Sequence, residues 1–316
     1  MLEFTAVKRE HLSQLNEFLS NIPPYFTEHS FTTLLAWQKS HNFEFAIESE
    51  VLYLKTTYNG MTSFFPPVLK MTKPQSDTPW EPVCVSDEYK AKYKEALETL
   101  KNYSEQVNTD FILSEVGETD LPLIEELLPD YFEIEEDRDN ANYIYHVQDL
   151  SELKGKSYHS RRNHLNAFKR KYPNYQYLSL TAELVVQCQK LVEQWLENNP
   201  NGSKTTIEQE LTALNVLFNN FCHLGLKGSC IMIDDKIEAF AIGEPLSNQI
   251  CAILIEKANT EFRGLYPAIN QMFLQDAWQD YKYVNRAEDM GLPGLRKTKL
   301  DYLPCHLAMK YILKAK

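Results

Sequence analysis

The sequence predicts a mixed α/β protein of two domains, and three observations lead there. The chain has 316 residues, more than one hydrophobic core usually serves, so two domains of about 150 residues are the natural division. Strand-length and helix-length hydrophobic periods run along it in the same order twice, which reads as an internal duplication. The charge also changes near the middle: residues 1–150 carry 11 Lys and Arg against 27 Asp and Glu, residues 151–316 carry 21 against 17. The expected domains are therefore 1–150, acidic, and 151–316, opening with a basic linker helix over 154–172.

The elements follow from the periods. In the first half a strand at 2–7 leads to helices at 8–20 and 31–39, then strands at 43–48 and 51–56 and an apolar Phe64-Phe65 segment broken by Pro66 and Pro67. A long helix at 87–106 precedes a strand at 110–114, a short helix at 120–128, and strands at 131–135 and 142–147. In the second half a strand at 175–180 is followed by a helix capped by Thr181, ending near Pro200. A second helix opens on the capping-box pattern of Thr205 and Glu208 and stops at Gly225. Strands at 229–233, 237–243 and 249–256 come next, the first two joined by the Asp234-Asp235-Lys236 turn. A helix over 264–280, a strand at 282–285, a helix at 295–301 and a last strand at 304–313 complete the order.

Composition excludes several classes. With 43% hydrophobic and 24% charged residues, 10 Gly and 15 Pro, the chain is neither disordered nor collagen-like. No apolar run reaches the length of a membrane span, and the first ten residues mix acids and bases where a signal peptide needs an apolar core. Cytoplasmic location without membrane insertion is the expectation. The six cysteines (84, 188, 222, 230, 251 and 305) form no C-x-x-C and read as reduced core thiols. His159 and His164 have no acidic partner nearby, so no metal is expected. A phosphate-bearing ligand is expected at the second half, because the first would repel it.

Two segments carry a family resemblance: LKGKSYHSRRNHLNAFKRKY over 153–172 and YVNRAEDMGLPGLRKTK over 283–299. Together with the element order they resemble the bacterial family of the phosphatidylglycerol lysyltransferase C-terminal domain, with Fem-type aminoacyl-tRNA-dependent transferases as distant relatives. The resemblance implies two tandem GNAT-like (acyl-CoA N-acyltransferase) domains. It also implies transfer of an acyl or aminoacyl group from acyl-CoA or aminoacyl-tRNA to a small amine or a lipid head group. The first domain would be the degenerate copy.

The turn Arg263-Gly264-Leu265-Tyr266-Pro267-Ala268 sits where GNAT enzymes wrap the coenzyme A pyrophosphate at a helix start, whose free N–H groups and dipole favour an anion. Arg263 and Ala268 match that pattern, whereas Tyr266 takes its central glycine position. Arg286 and Lys297 would meet polar groups of the donor. Glu244 and Glu256, each at a strand end, are candidate bases, Asn285 a candidate polar contact, and Tyr302 a proton donor to the leaving group. In the basic helix, Lys156, Arg161, Arg162, Lys169 and Arg170 are candidate nucleic-acid contacts. A different class stays open: a ligand- or nucleic-acid-binding module on the same fold without turnover. The acceptor and the oligomeric state are not legible.

Overall fold

The computed structural model describes residues 1–22, 25–71, 78–197 and 204–316, with side chains of 193–197 and 204–206 excepted. Within it the strands are β1 (Thr5–Ala6), β2 (Glu44–Glu48), β3 (Val51–Tyr58), β4 (Met61–Phe64), β5 (Val68–Leu69), β6 (Ile112–Gly117), β7 (Phe132–Glu136) and β8 (Asn142–His146). The later strands are β9 (Gln176–Ser179), β10 (Lys227–Ile233), β11 (Lys236–Pro245), β12 (Ile250–Ala258), β13 (Tyr283–Asn285), β14 (His306–Ala308) and β15 (Lys310–Ala315). The helices are α1 (Leu12–Leu19), α2 (Phe31–Ala36), α3 (Gln38–His41), α4 (Asp87–Gln106), α5 (Leu121–Leu127) and α6 (Val147–Glu152). They continue as α7 (His159–Lys171), α8 (Ala182–Glu197), α9 (Lys204–Asn219), α10 (Leu265–Ala277) and α11 (Pro293–Leu300). The expected end of α8 near Pro200 and the capping box at Thr205 lie outside the described residues and side chains.

The chain forms two compact units: unit 1 is Met1–Asn142, Glu288–Leu292 and Ala308–Lys316; unit 2 is Tyr143–Ala287 and Pro293–Leu307. Unit 1 holds a mixed sheet in the order β1-β2-β3-β4-β6-β15-β7, with β5 beside β3. Its core packs α4 residues Tyr93, Ala96, Leu97 and Leu100 on Tyr53, Phe64, Leu113 and Leu313. Unit 2 holds the order β14-β8-β13-β12-β11-β10-β9. Its core joins α10 (Leu265, Ile269, Phe273) to α7 (Leu165, Phe168) and to the sheet through Ile231, Ala241 and Ile253.

This division differs from contiguous halves at 150: Glu288–Leu292 and Ala308–Lys316 belong to unit 1, and residues 143–150 to unit 2. The expected final strand over 304–313 is two strands: β14 stays in unit 2, whereas β15 enters the unit 1 sheet between β6 and β7. Conversely β8, from the first half of the chain, pairs with β13 in unit 2. The physical reason is that a hydrophobic pattern states a strand without naming its partner strand. The basic segment is also shorter as a helix than 154–172, because Leu153 and Gly155 take positive φ and form a turn before α7.

Turns account for the hairpins. Asp234 and Asp235 both take positive φ (50° and 61°) between β10 and β11, the type I′ geometry that matches strand twist. Asn59 and Gly60 do the same between β3 and β4 (50° and 82°). That Asn-Gly pair was the signal for β4, which the apolar Phe64-Phe65 reading left incomplete. Cys188, Cys230 and Cys251 are buried, but Cys84, Cys222 and Cys305 are exposed, which corrects the expectation of core thiols for three of the six.

Candidate active site

Each sheet contains a parallel pair of neighbouring strands, β4 with β6 in unit 1 and β12 with β13 in unit 2. In unit 2, β12 and β13 pair only through Ile250–Tyr283, Cys251–Val284 and Ala252–Asn285. Beyond those residues the strands part, and a polar cluster fills the opening.

Glu256 on β12 and Arg286 just after β13 meet across it: Arg286 Nη2 donates to the Glu256 carboxylate at 3.3 and 3.4 Å. Asn270 on α10 donates to the same carboxylate at 2.8 Å. Alternation along β12 turns Glu256 toward α10, since its register partner Ala241 belongs to the core under that helix. Asn285 is fully buried, and its Oδ1 accepts the Ala287 N–H at 2.7 Å. It shapes the turn that carries Arg286. The Lys299 ammonium caps the Arg286 carbonyl.

Tyr302 closes the cluster. The Arg161 guanidinium lies 4.0 Å and that of Arg286 4.9 Å from its ring centroid, distances at which cations attract an aromatic face. Tyr158 fixes the backbone there by donating to the Tyr302 carbonyl at 3.0 Å, and Tyr145 donates to the Lys299 carbonyl at 2.8 Å. Burial pushes the Tyr302 phenol above its ordinary value, even though Arg286 and Arg161 pull it down. It therefore stays protonated near neutral pH and can donate.

The other expected residues divide. Glu244 sits beside Ala252, on the opposite face of the sheet from Glu256 and at the other end of β12. Adjacent antiparallel strands end at opposite edges, so two strand-end glutamates cannot share one opening. Lys297 is exposed and pairs with Asp301 at 3.1 Å along α11. Asp301 also lies 3.7 Å from Arg161.

The turn before α10 is built for packing. Gly264 has φ +92°, and a Cβ there would stand 2.3 Å from the His164 carbonyl oxygen of α7, so glycine is required by that close approach. Leu265 is buried, its N–H already bonds the Phe262 carbonyl at 3.0 Å, and Pro267 brings no N–H. An anion at this helix start therefore cannot use the first-turn positions of Leu265 and Pro267. Ala268 is buried in the core, Tyr266 is half-buried against it, and Arg263 is exposed.

The basic helix also splits by role. Lys156, Lys169 and Arg170 are exposed. Arg162 turns back to bond the carbonyls of Leu153 and Gly155, the latter at 2.6 Å. It clamps the turn, while its neighbour Arg161 enters the opening. Sequence reasoning missed Asn270, Tyr145 and Lys299, and it read Tyr158 as a base-stacking residue where its hydroxyl instead holds the Tyr302 carbonyl. Asn270 had a signal: it is a polar residue on the apolar face made by Leu265, Ala268, Ile269 and Phe273.

Residues 79–314 match the family described as phosphatidylglycerol lysyltransferase, C-terminal. The chain belongs to that family. A protein of unknown function from Bacteroides thetaiotaomicron has a solved structure matching at TM-score 0.86, with 29% identity and 100% of both chains covered. The lysylphosphatidylglycerol synthetase C-terminal domain from Agrobacterium fabrum matches at 0.65, with 10% identity over 98% of this chain and 91% of that one. The L-PGS from Bacillus licheniformis matches at 0.63, with 13% identity over 98% and 93%. An uncharacterised protein of Mycoplasmoides gallisepticum is 26% identical over 176 residues, which are 55% of this chain. The match spans only 56% of that relative's own length. Each unit is built on its own mixed sheet, which bears out the expected mixed α/β class. Among the described residues no helix is long and apolar enough to cross a membrane, and no group of three or more His, Cys, Asp or Glu is placed to hold a metal.

Proposed function

We propose that unit 2 moves an aminoacyl group from an aminoacyl-tRNA to a hydroxyl or amine acceptor, with a lipid head group as the leading candidate. The observation that carries this is the convergence of Glu256, Arg286, Tyr302 and Arg161 where β12 and β13 part. The acceptor's hydroxyl or amine would attack the ester carbonyl while its proton passes to Glu256, which Asn270 and Arg286 hold in place. Arg286 and Arg161 offer positive charge to the oxygen that becomes negative as the carbonyl rehybridises. The bond from the acyl carbon to the tRNA ribose oxygen then breaks, and Tyr302 returns a proton to that oxygen.

A coenzyme A donor is the second reading, because the fold family uses one. Two features favour the tRNA ester. The start of α10 has lost two of its first-turn donors, one to Phe262 and one to proline. Beside it, α7 presents Lys169 and Arg170 outward and sends Arg161 inward, so backbone-phosphate contacts and the reacting centre share one helix. Such a donor belongs to the cytoplasm.

The test supplies purified full-length protein with labelled aminoacylated bulk tRNA or acetyl-coenzyme A, and with phosphatidylglycerol vesicles or a soluble amine as acceptor. Transfer of the aminoacyl label above spontaneous hydrolysis is expected, with Glu256→Gln slowing it by about 10²–10⁴-fold. Consumption of acetyl-coenzyme A alone would overturn the donor. Binding of charged tRNA without turnover would favour a non-catalytic module.

A further inference from the structure

Unit 1 contains a polar slot that plays no part in the chemistry above. Asn21, His29, Tyr89, Tyr93 and Asp120 supply its polar wall, and Ile22, Leu54, Phe65, Pro66 and Leu69 much of its apolar one. Its inner volume is about 20 Å³, and it opens outward into a larger space. That inner volume holds one water-sized group.

Two of its polar atoms have no partner. Tyr93 is 1% and His29 8% exposed, yet the Tyr93 hydroxyl and the His29 Nδ1 make no hydrogen bond. A buried polar group left so costs about 1–3 kcal/mol and calls for a ligand or a solvent molecule. Burial drives the His29 imidazole down, to about 4, so the ring is neutral. It hydrogen-bonds the backbone of Glu115, which leaves Nδ1 as a lone-pair acceptor.

The remaining groups have the same sense. The Tyr89 and Tyr93 rings stack with centroids 5.9 Å apart. After burial, the Asp120 carboxylate is the leading influence holding both phenols above their ordinary range. It is thus the dominant charge at the slot. Among the described residues that line it none is a lysine or arginine. Acceptor nitrogen, phenol oxygens, carboxylate and aromatic faces together solvate a positive donor, and the strong acidic excess of the first 150 residues adds a favourable field.

We infer that this slot binds the primary ammonium end of a slender aliphatic amine, with the ammonium between His29, Tyr93 and Asp120 and the chain along Ile22, Leu54 and Pro66. The ammonium is the size of the water that the inner space admits and has three protons to place. The apolar walls take the methylenes. The assignment stands on unit 1 alone, so it neither needs nor tests the transfer reaction of unit 2.

Titration calorimetry of the full chain at neutral pH with n-butylamine and its uncharged counterpart n-butanol decides it. Saturable binding is expected for the amine, with the alcohol weaker by about tenfold or more, the worth of a charge-assisted hydrogen bond. Tyr93→Phe removes only the unpartnered hydroxyl and should weaken the amine by about threefold or more while the urea midpoint holds or rises. Asp120→Asn should weaken it by about tenfold or more. Equal binding of alcohol and amine would overturn the assignment. So would undiminished amine affinity in folded Tyr93→Phe. No saturable heat from the amine would make the slot a site for one structural water and nothing else.

Discussion

Lys310→Met is the sharpest perturbation of unit 1. Lys310 is 2% exposed on β15, and its ammonium lies 2.9 Å from Glu28 and 2.8 Å from Glu115. Removing the only cation of a buried pair typically costs about 3–5 kcal/mol, because the charge left behind has neither water nor partner. Here two carboxylates lose one shared cation, which argues for the upper end. Their side chains keep 18% and 23% exposure, which lets water screen part of the loss and brings the expectation to about 3 kcal/mol. Methionine preserves the apolar stem, so little of that is cavity. Urea denaturation followed by circular dichroism should show the loss at pH 7. The deficit should shrink toward pH 4: in the variant both carboxyls titrate above their unfolded values, so their penalty is present at high pH and relieved as protons bind. A loss below about 1 kcal/mol at pH 7, or one that does not change with pH, would refute the buried triad.

Three further outcomes follow from the geometry. Gly264→Ala forces a methyl to 2.3 Å from the His164 carbonyl at φ +92° and should cost about 2–4 kcal/mol by urea midpoint. Arg162→Ala should cost about 1 kcal/mol by taking the partner from the part-buried Leu153 carbonyl, whereas Arg161→Ala should leave the midpoint nearly unchanged and act on transfer rate. Glu115→Gln should steepen acid loss of stability. Burial and Glu28 raise Glu115 to about 7, so its contribution is full below the ordinary 4.5 and fades as pH rises through 7. His29, lowered to about 4, works oppositely, losing stability as pH falls from 6.5. The two offset each other between pH 4.5 and 6.5 in the native chain, and the variant unmasks the histidine in a plot of unfolding free energy against pH.

Much of this architecture was legible. The helix over 87–106 stands at its expected bounds, because Ser86 caps it and its apolar spacing is sustained over five turns. The central strands β10, β11 and β12 and the helix after them appear within a few residues of their expected ends. What local pattern could not convey was partnership. Glu244 and Glu256 look alike in sequence, each closing an apolar strand, and only the antiparallel pairing separates them. Arg161 and Arg162 are adjacent on a basic helix, and a rotation of one residue sends one to an aromatic ring and the other to backbone carbonyls. Lys310 was a lone cation in an apolar strand, a visible anomaly, but its carboxylates lie far away in sequence at Glu28 and Glu115.

The placement of β15 also sets an order of events in synthesis. Residues 310–315 fill a position between β6 and β7, so a nascent chain that has made all of the first half still has a gap inside its first sheet. Two rows of backbone donors and acceptors, on Ile112–Gly117 and Phe132–Glu136, must wait unpaired while the second half is translated. During that interval the first half offers open strand edges to any passing β-strand. A ribosome that stops short of residue 310 leaves a defect in the half made earliest, and a chaperone that shields those edges would act on the beginning of the chain until its far end arrives.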